Sequence, residues 1–151
     1  MPAGIGPAPL CYTHDMKLTH AESTYLAARD GRERRAAAMN DLLMPKAVLD
    51  PDETVLEMAI GAERRSYFPL LLVTDRRVLI TTDRMIRGWH VVDEVPAPQV
   101  TGADYASTML AGTLSVHARG RDDLVLRTAR RDEAEGVVEV IRNLLKLGSQ
   151  G

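Results

Sequence analysis

Arginine is the residue type whose clustering most directly suggests binding chemistry in this sequence. Between positions 64 and 87 there are six arginines and two aspartates, a local excess of four positive charges in a chain whose formal net charge is −2. Converging guanidinium groups can hold phosphate or carboxylate oxygens through paired hydrogen bonds. Four of these arginines are therefore candidate contacts for an anion or a lipid headgroup: Arg64, Arg65, Arg76 and Arg77.

A solvated rim with local ion pairs is the alternative interpretation of this arginine cluster, and we favour it. Glu63, Asp75 and Asp83 lie nearby in the sequence, and exposed ion pairs contribute little each. The adjacent Tyr67 and Phe68 could enter a membrane interface, although an aromatic pair at the start of a strand is more often part of a core. A peripheral membrane contact therefore stays open.

No group of residues has the spacing that catalysis or metal binding requires. The four histidines show no metal-ligand spacing, and the acidic stretch at 50–53 is too short for a calcium-binding loop and lacks its glycine. Cys11 and His14 lie in a segment with no rigid frame to hold a nucleophile and its base. Neither a glycine-rich phosphate loop nor a nucleophile elbow is present. We expect no catalytic residues, no metal, no cofactor and no enzymatic activity.

Length and composition indicate a soluble globular chain. Its 151 residues, 45% hydrophobic, suffice for one domain with a core and an appendage. No apolar run approaches the roughly 18 residues that cross a bilayer, and we find no secretory signal. The single cysteine fits a reducing compartment, so we expect a cytoplasmic location. The slightly negative net charge argues against a nucleic-acid partner.

The N-terminal third divides into an arm and a helical segment. Residues 1–17 are rich in proline and glycine and are expected to form a flexible arm. Thr19 and Glu22 fit a capping box, which predicts a helix to about Ala28. A second helix is predicted over 32–44, ended by Pro45; the alternative is one kinked helix through both stretches, since an interior glycine costs only about 1 kcal/mol. The apolar stripe of segment 18–45 is too weak to stand alone. It should pack in cis on the following domain or in trans on a partner, through the candidate interface residues Tyr25, Met39, Leu42 and Leu43.

From Lys46 onward, short β-type runs recur at regular intervals and one amphipathic helix closes the chain at 132–147. Seven strands are predicted: Thr54–Ile60, Leu70–Thr74, Val78–Thr82, Gly88–Val95, Gln99–Tyr105, Gly112–Ala118 and Leu124–Thr128. The run at 70–73 is apolar at every position and should be covered on both faces. Strands in this number bend into an orthogonal sandwich or a partly open barrel, with the last helix across an open end.

Two finer expectations concern the core of this barrel. Alternation along the first strand places Leu56, Met58 and Ile60 on one face. A single shared core is expected to contain Leu72, Ile80, Trp89, Leu114, Leu126 and Ile141.

The span from about Val48 to Leu147 resembles the bacterial pleckstrin-homology-like (PH-like) domains. The resemblance rests on Leu-Asp-Pro-Asp-Glu at 49–53, on Leu-Val-Thr-Asp-Arg-Arg-Val-Leu at 72–79, and on the order of seven strands and a helix. It implies a mainly β fold, two near-orthogonal sheets capped by the C-terminal helix, here preceded by a helical extension. The chain would then divide into 1–17, 18–45 and a PH-like domain at 46–148.

The resemblance also implies binding rather than catalysis. Relatives in eukaryotes bind phosphoinositides through basic residues in the first two strand-connecting loops, and this sequence has Ala59 and Ile60 at the end of strand one, where a lysine is usual. We therefore expect a non-catalytic cytoplasmic adaptor that engages a protein partner or self-associates. The alternative is an anionic-lipid or phosphate-ligand domain that uses the Arg64–Arg87 cluster.

Overall fold

The computed structural model describes residues 17–30, 41–61, 69–84, 87–109, 111–128 and 130–150. Its helices are α1 (His20–Asp30), α2 (Met44–Val48) and α3 (Arg131–Gln150), and two 3-10 turns lie at Asp41–Leu43 and Ala97–Gln99. The strands are β1 (Val55–Ile60), β2 (Leu70–Thr74), β3 (Arg77–Asp83), β4 (Trp89–Pro96), β5 (Val100–Ser107), β6 (Gly112–Ala118) and β7 (Leu124–Thr128). The predicted order of seven strands and a closing helix is confirmed.

The strands form two antiparallel sheets, one in the order β1-β2-β3-β4 and one in the order β5-β6-β7. All five residues of β2 are buried, as its continuous apolar run predicts. Side chains alternate between the two faces of a strand, so Leu71 and Val73 enter one hydrophobic cluster and Leu70 and Leu72 enter another. β2 is therefore the strand from which both cores of the protein are built.

The inner core lies between the two sheets and α3. Leu114 and Val116 from β6 and Leu126 from β7 pack there with Val137 and Ile141 from α3. α3 packs on β1 and β5, the first strands of the two sheets, and so covers the open side of the barrel. Each fully buried aliphatic side chain of this kind contributes roughly 1.5–3 kcal/mol before ordering costs.

The prediction of one shared core is wrong for Leu72 and Trp89. Both lie on the outer face of the first sheet, in a separate cluster with Tyr25 of α1 and Met44 of α2. A strand that is apolar at every position gives no periodic signal for which face a residue takes, and the cover on this second face comes from a distant part of the chain. The helices that precede the barrel supply that cover.

α1 begins at the predicted capping box and docks in cis. The hydroxyl of Thr19 accepts from the Glu22 N–H at 3.1 Å, and the Glu22 carboxylate accepts from the Thr19 N–H at 2.8 Å. Two further bonds tie the helix to the sheet region: the Ala21 N–H donates to the Pro51 carbonyl, and the Val55 N–H donates to the Thr24 hydroxyl. Of the two arrangements expected for the helical segment, α1 takes the one within the chain.

Two local expectations are corrected. Pro45 lies in the first turn of α2 and does not end a helix, because the first helical turn needs no N–H from its residues; residues 31–40 lie outside the described part of the chain. In β1 the register shifts between Val55 and Glu57. This irregularity puts Val55 on the outer face with Met58 and Ile60 and turns Leu56 away from them, towards α3.

Replacing Ile141 by alanine should lower the free energy of unfolding by about 2–5 kcal/mol, because it opens a cavity between α3 and the sheets. Leu147→Ala on the same helix is the matched control, since Leu147 is 66% exposed and surface changes stay within about 0.5 kcal/mol. Urea unfolding of both variants measures the difference. Equal losses would mean that α3 is not part of the core.

Tyr25→Phe should destabilise the protein by about 1–3 kcal/mol, because the Tyr25 hydroxyl donates to the buried Asp41 carboxylate at 2.7 Å and its loss leaves that carboxylate short of a donor. Tyr105→Phe is the control, since the Tyr105 hydroxyl has no hydrogen-bond partner among the described residues. Thermal melts compare the two. A Tyr25→Phe melt that coincides with that of the control would contradict this role.

Candidate functional site

The turn between β2 and β3 is held by side-chain hydrogen bonds to its own backbone. The Thr74 hydroxyl oxygen accepts from the N–H groups of Arg76 and Arg77, both at 3.1 Å, and its O–H donates to Glu53 at 2.6 Å. Asp75 exchanges two bonds with Thr54, one through its carboxylate and one through its backbone N–H. The direction of every side chain in this turn is therefore fixed.

Arg77 is occupied by an internal ion pair. Its guanidinium donates to both carboxylate oxygens of Glu53 at 3.0 and 3.1 Å, to Glu94 at 3.1 Å and to the Val48 carbonyl at 2.9 Å. Burial raises the pKa of the Glu53 carboxyl, but hydrogen bonds from Arg77 and Thr74 outweigh it and hold that pKa below its usual range. A ligand phosphate would have to displace this fully buried carboxylate.

Arg76 points to the surface, and its charge is also matched by carboxylates. It donates to Asp50 at 3.0 Å and to Asp52 at 2.8 Å. The hydrogen bond from Arg76 holds the pKa of Asp52 below its ordinary value. Arg76 and Arg77 are the two candidate anion contacts that the structure describes. Together they pair with Asp50, Asp52 and Glu53 before β1 and with Glu94 on β4.

The sheet topology separates the two connections of β2. Gly61 and Pro69 are joined by a hydrogen bond at one end of β2, and Arg76 follows the other end, because consecutive connections of an antiparallel meander lie at opposite ends of the shared strand. Arg64 and Arg65, the other two candidate anion contacts, lie outside the described residues.

Two other arginines lie in the β3–β4 connection, at the Gly61–Pro69 end of the barrel. Arg84 and Arg87 are exposed, and neither forms an ion pair with a residue in the described ranges. The Arg84 N–H donates to the carbonyl of Gly88, whose φ of 76° favours glycine. At this arginine end of the barrel, Arg84 and Arg87 have no carboxylate partner among the described residues, in contrast to Arg76 and Arg77.

An open apolar groove of about 700 Å³ lies at the opposite end, beside the β2–β3 turn. One wall is a helical stripe of α3, and the other is built from β1, the β2–β3 hairpin and the residues around the second 3-10 turn. The lining residues are Ile141, Leu144, Leu145 and Gly148 on α3, and Leu56, Val73, Thr74, Asp75, Val78, Ala97, Pro98, Val100 and Arg119 on the other side.

The helical stripe on α3 is longer than the barrel that covers it. Val137 and Ile141 are buried by the sheets, whereas Leu144 is 38% exposed and Leu147 is 66% exposed. The amphipathic pattern of the sequence predicts this stripe but not where its cover ends. The length of the stripe beyond the last core layer is the signal from which the groove could have been suspected.

The candidate partner-interface residues separate into two groups. Tyr25 is fully buried within the chain, which corrects its assignment to a surface; it faces the outer cluster because Met44 and the first sheet need apolar cover. Leu42 and Leu43 are 53% and 63% exposed and remain available to a partner. Met39 lies outside the described residues.

One ionisable cluster was not anticipated. His117 on β6 lies between Asp104 on β5 at 2.7 Å and Asp123 at 3.0 Å, and Arg142 of α3 also reaches Asp104. Hydrogen bonds to Asp104 and then Asp123 raise the pKa of His117 above its usual value. Such a group joins two strands and a helix through exposed ion pairs.

Among the residues that the structure describes, no set of three or more potential ligands is placed to hold a metal ion.

A family model described as Bacterial PH domain matches residues 49–143, more than half of the chain. The chain belongs to the bacterial PH domain family. This match confirms the resemblance noted from the sequence, and PH domains are generally non-catalytic binding modules. Neither the curated proteins nor the solved structures gave a match to this PH domain. Within the described ranges, no helix has the length and apolarity needed to span a bilayer.

Arg77→Ala should lower the free energy of unfolding of this PH domain by about 3–5 kcal/mol at neutral pH, because it leaves the Glu53 carboxylate buried without its partner. Arg76→Ala is the matched control, with a much smaller effect because its ion pairs are exposed. Urea unfolding measures both.

The pH dependence of the Arg77→Ala effect follows from the direction of the Glu53 shift. The folded-state pKa lies below the ordinary 4.5, so the contribution of the ion pair is complete above pH 4.5 and is lost as the pH falls through the folded-state value. The gap between wild type and Arg77→Ala should therefore shrink in acid. A gap that is constant from pH 7 to pH 3 would exclude the ion pair as its cause.

The His117 resonances of the folded protein should titrate above pH 6.5, and Asp104→Asn should move that midpoint down, because it removes the largest favourable contact of the imidazolium. Because the folded pKa is raised, this small stabilisation is complete below pH 6.5 and is lost as the pH rises through the folded value. NMR titration of the histidine ring protons measures the midpoint. An unchanged midpoint in Asp104→Asn would refute the assignment.

Proposed function

We propose that this bacterial PH domain is a non-catalytic adaptor of the cytoplasm that binds a segment of another protein, or of a second copy of itself, in the apolar groove beside α3. The observation that carries the proposal is the incompletely covered end of the α3 stripe. Leu144, which is 38% exposed, and Leu145, which packs partly against the inner core, follow the buried Ile141 at helical spacing and line an open groove with a second apolar wall. An occupant would complete the burial that the barrel begins.

The groove is large enough to hold the apolar side chains of a protein segment. Its volume of about 700 Å³ lies within the roughly 300–1,000 Å³ of clefts that bind drug-sized ligands. Each 100 Å² of apolar surface removed from water would contribute roughly 2.5 kcal/mol before the entropic cost of association. Amphipathic segments commonly bind in this way, with apolar anchors in a groove and polar groups at its rim.

The charges near the β2–β3 turn favour this proposal over an anion site at the same turn. Arg77 is committed to Glu53 and Glu94, and Arg76 to two aspartates. A phosphate approaching them would meet four carboxylates whose repulsion offsets the attraction of the two cations. These arginines therefore act on the shape of the turn rather than on a ligand.

The second candidate function is contact with an anionic lipid surface at the arginine end. Its support is the exposure of Arg84 and Arg87, which lie beside Gly61 and Pro69 without ion pairs to described residues. If Arg64 and Arg65 add to them, surface attraction would be on the order of 1 kcal/mol per arginine.

The groove proposal is tested by photo-crosslinking from position 144. A photoreactive phenylalanine analogue replaces Leu144 in the full chain inside cells, and the control places it at Val125, which is 49% exposed on β7. We expect a discrete protein adduct from 144, either to another protein or to the same chain. The adduct partner, once purified, should bind Leu144→Arg at least tenfold more weakly than Val125→Arg. Equal crosslinking from both positions would contradict the proposal.

Vesicles containing anionic lipid separate the two candidate functions. We expect negligible binding at physiological salt, and no change on replacing Arg64, Arg65, Arg84 and Arg87 by alanine. Lipid binding would instead weaken steeply with salt, since the Debye length falls to about 10 Å at 0.1 M, and removing two arginines would lower affinity about thirtyfold. Vesicle co-sedimentation at 50 and 150 mM salt decides. Tight, salt-sensitive binding that the substitutions abolish would replace the adaptor function by the lipid one.

A further inference from the structure

Among the described residues, Arg119 is the cation that lines the apolar groove. It follows β6 in the turn towards β7, and its backbone N–H donates to the Gln99 carbonyl at 2.8 Å. That bond ties the Arg119 backbone to the second 3-10 turn, whose residues Ala97 and Pro98 also line the groove. The backbone of Arg119 is therefore held in the wall of the groove, and its side chain is exposed.

Arg119 differs from the other arginines at this end of the barrel in lacking a counter-charge. Arg76 and Arg77 each pair with two carboxylates, and Arg121 pairs with Asp93 at 2.7 Å. Within the described ranges, no carboxylate pairs with Arg119. Asp75, the anion that lines the groove, is engaged by the Thr54 N–H.

We infer that the groove selects an apolar protein segment that carries a carboxylate, and that this carboxylate pairs with Arg119. The inference rests on the proposed function and names the chemistry of its partner. The guanidinium presents several donors in a planar fork that suits a carboxylate, and charge-assisted bonds of this kind are strong. Arg119 is exposed at the rim of the groove, so the pair adds mainly to the choice of partner and the apolar walls supply most of the affinity.

The groove can admit a chain segment that runs along α3. From Ile141 to Gly148 the α3 wall extends over seven residues, or about 10 Å at 1.5 Å per residue. At Gly148 the space above the backbone is open, since a Cβ there would meet nothing within 4 Å. A bound segment can therefore leave the groove past the end of the stripe while its apolar side chains contact Leu144 and Leu145.

Selection of random 16-residue peptides displayed on phage against the full chain tests the inference. Parallel selections use Arg119→Gln, and Arg127→Gln as the control, because Arg127 is exposed on β7 and does not line the groove. We expect wild type and the control to enrich peptides with two or three apolar residues and an aspartate or glutamate at fixed spacing. Arg119→Gln should keep the apolar preference and lose the acidic one.

Affinity measurements on the most enriched peptide complete the test. Fluorescence anisotropy should show about tenfold weaker binding to Arg119→Gln than to Arg127→Gln, and a peptide with glutamine at the acidic position should bind both variants equally. Leu144→Arg should abolish binding of either peptide. Arg119→Glu should prefer the peptide whose acidic residue is changed to lysine.

The outcomes separate the inference from the proposed function on which it rests. Apolar peptides that need Leu144 but show no acidic preference overturn the role of Arg119 and leave the groove as a protein-binding site. Peptides whose binding is unaffected by Leu144→Arg, or the absence of enriched peptides, overturn both. Oleate that binds wild type but not Leu144→Arg, in the absence of any enriched peptide, would also overturn both and make the groove a fatty-acid site.

Discussion

The central constraint on this fold is that β2 must be buried on both faces. Four consecutive apolar residues, Leu70–Val73, alternate between the two sides of the first sheet, so neither side can face water. The second sheet and α3 cover one side, and α1 and α2 cover the other. The helical segment lies largely before the family match at 49–143, yet it covers an apolar surface that the matched residues themselves create.

The same strand separates the two ends of the barrel and gives them different properties. Its C-terminal end leads into a turn in which Thr74, Glu53 and Arg77 form one hydrogen-bonded unit. Breaking such a buried ion pair costs far more than its net contribution to folding, so these residues are tied to structure. Its N-terminal end lies at the same end of the barrel as the β3–β4 connection, where Arg84 and Arg87 form no ion pair with the described residues. Charge that looks continuous in the sequence is thus divided between a structural turn and an exposed arginine end.

The hydrophobic pattern of the sequence predicts most of the helices and strands. It does not predict which face of the sheet some residues occupy or where the groove lies. The limits of β6 and β7 follow from alternation bounded by turn residues, and α3 follows from its stripe. Leu72 and Trp89 were assigned to the wrong core because β2 has no period and the outer cover comes from α1 and α2, which precede the first strand of the barrel. Leu56 was assigned to the wrong face because a register irregularity leaves no mark in hydrophobicity. The groove could not be predicted because its volume depends on how far α3 extends past the hairpin.

The last turns of α3 carry more apolar surface than the barrel covers. Leu145 still packs against the inner core, but Leu144 and Leu147 on the same helix are 38% and 66% exposed. Exposed apolar surface of this kind is a liability unless something covers it. The wall opposite adds Arg119, the one groove cation without a carboxylate among the described residues. An apolar segment with a single carboxylate would satisfy both features together, and neither feature is explained by the packing of the barrel itself.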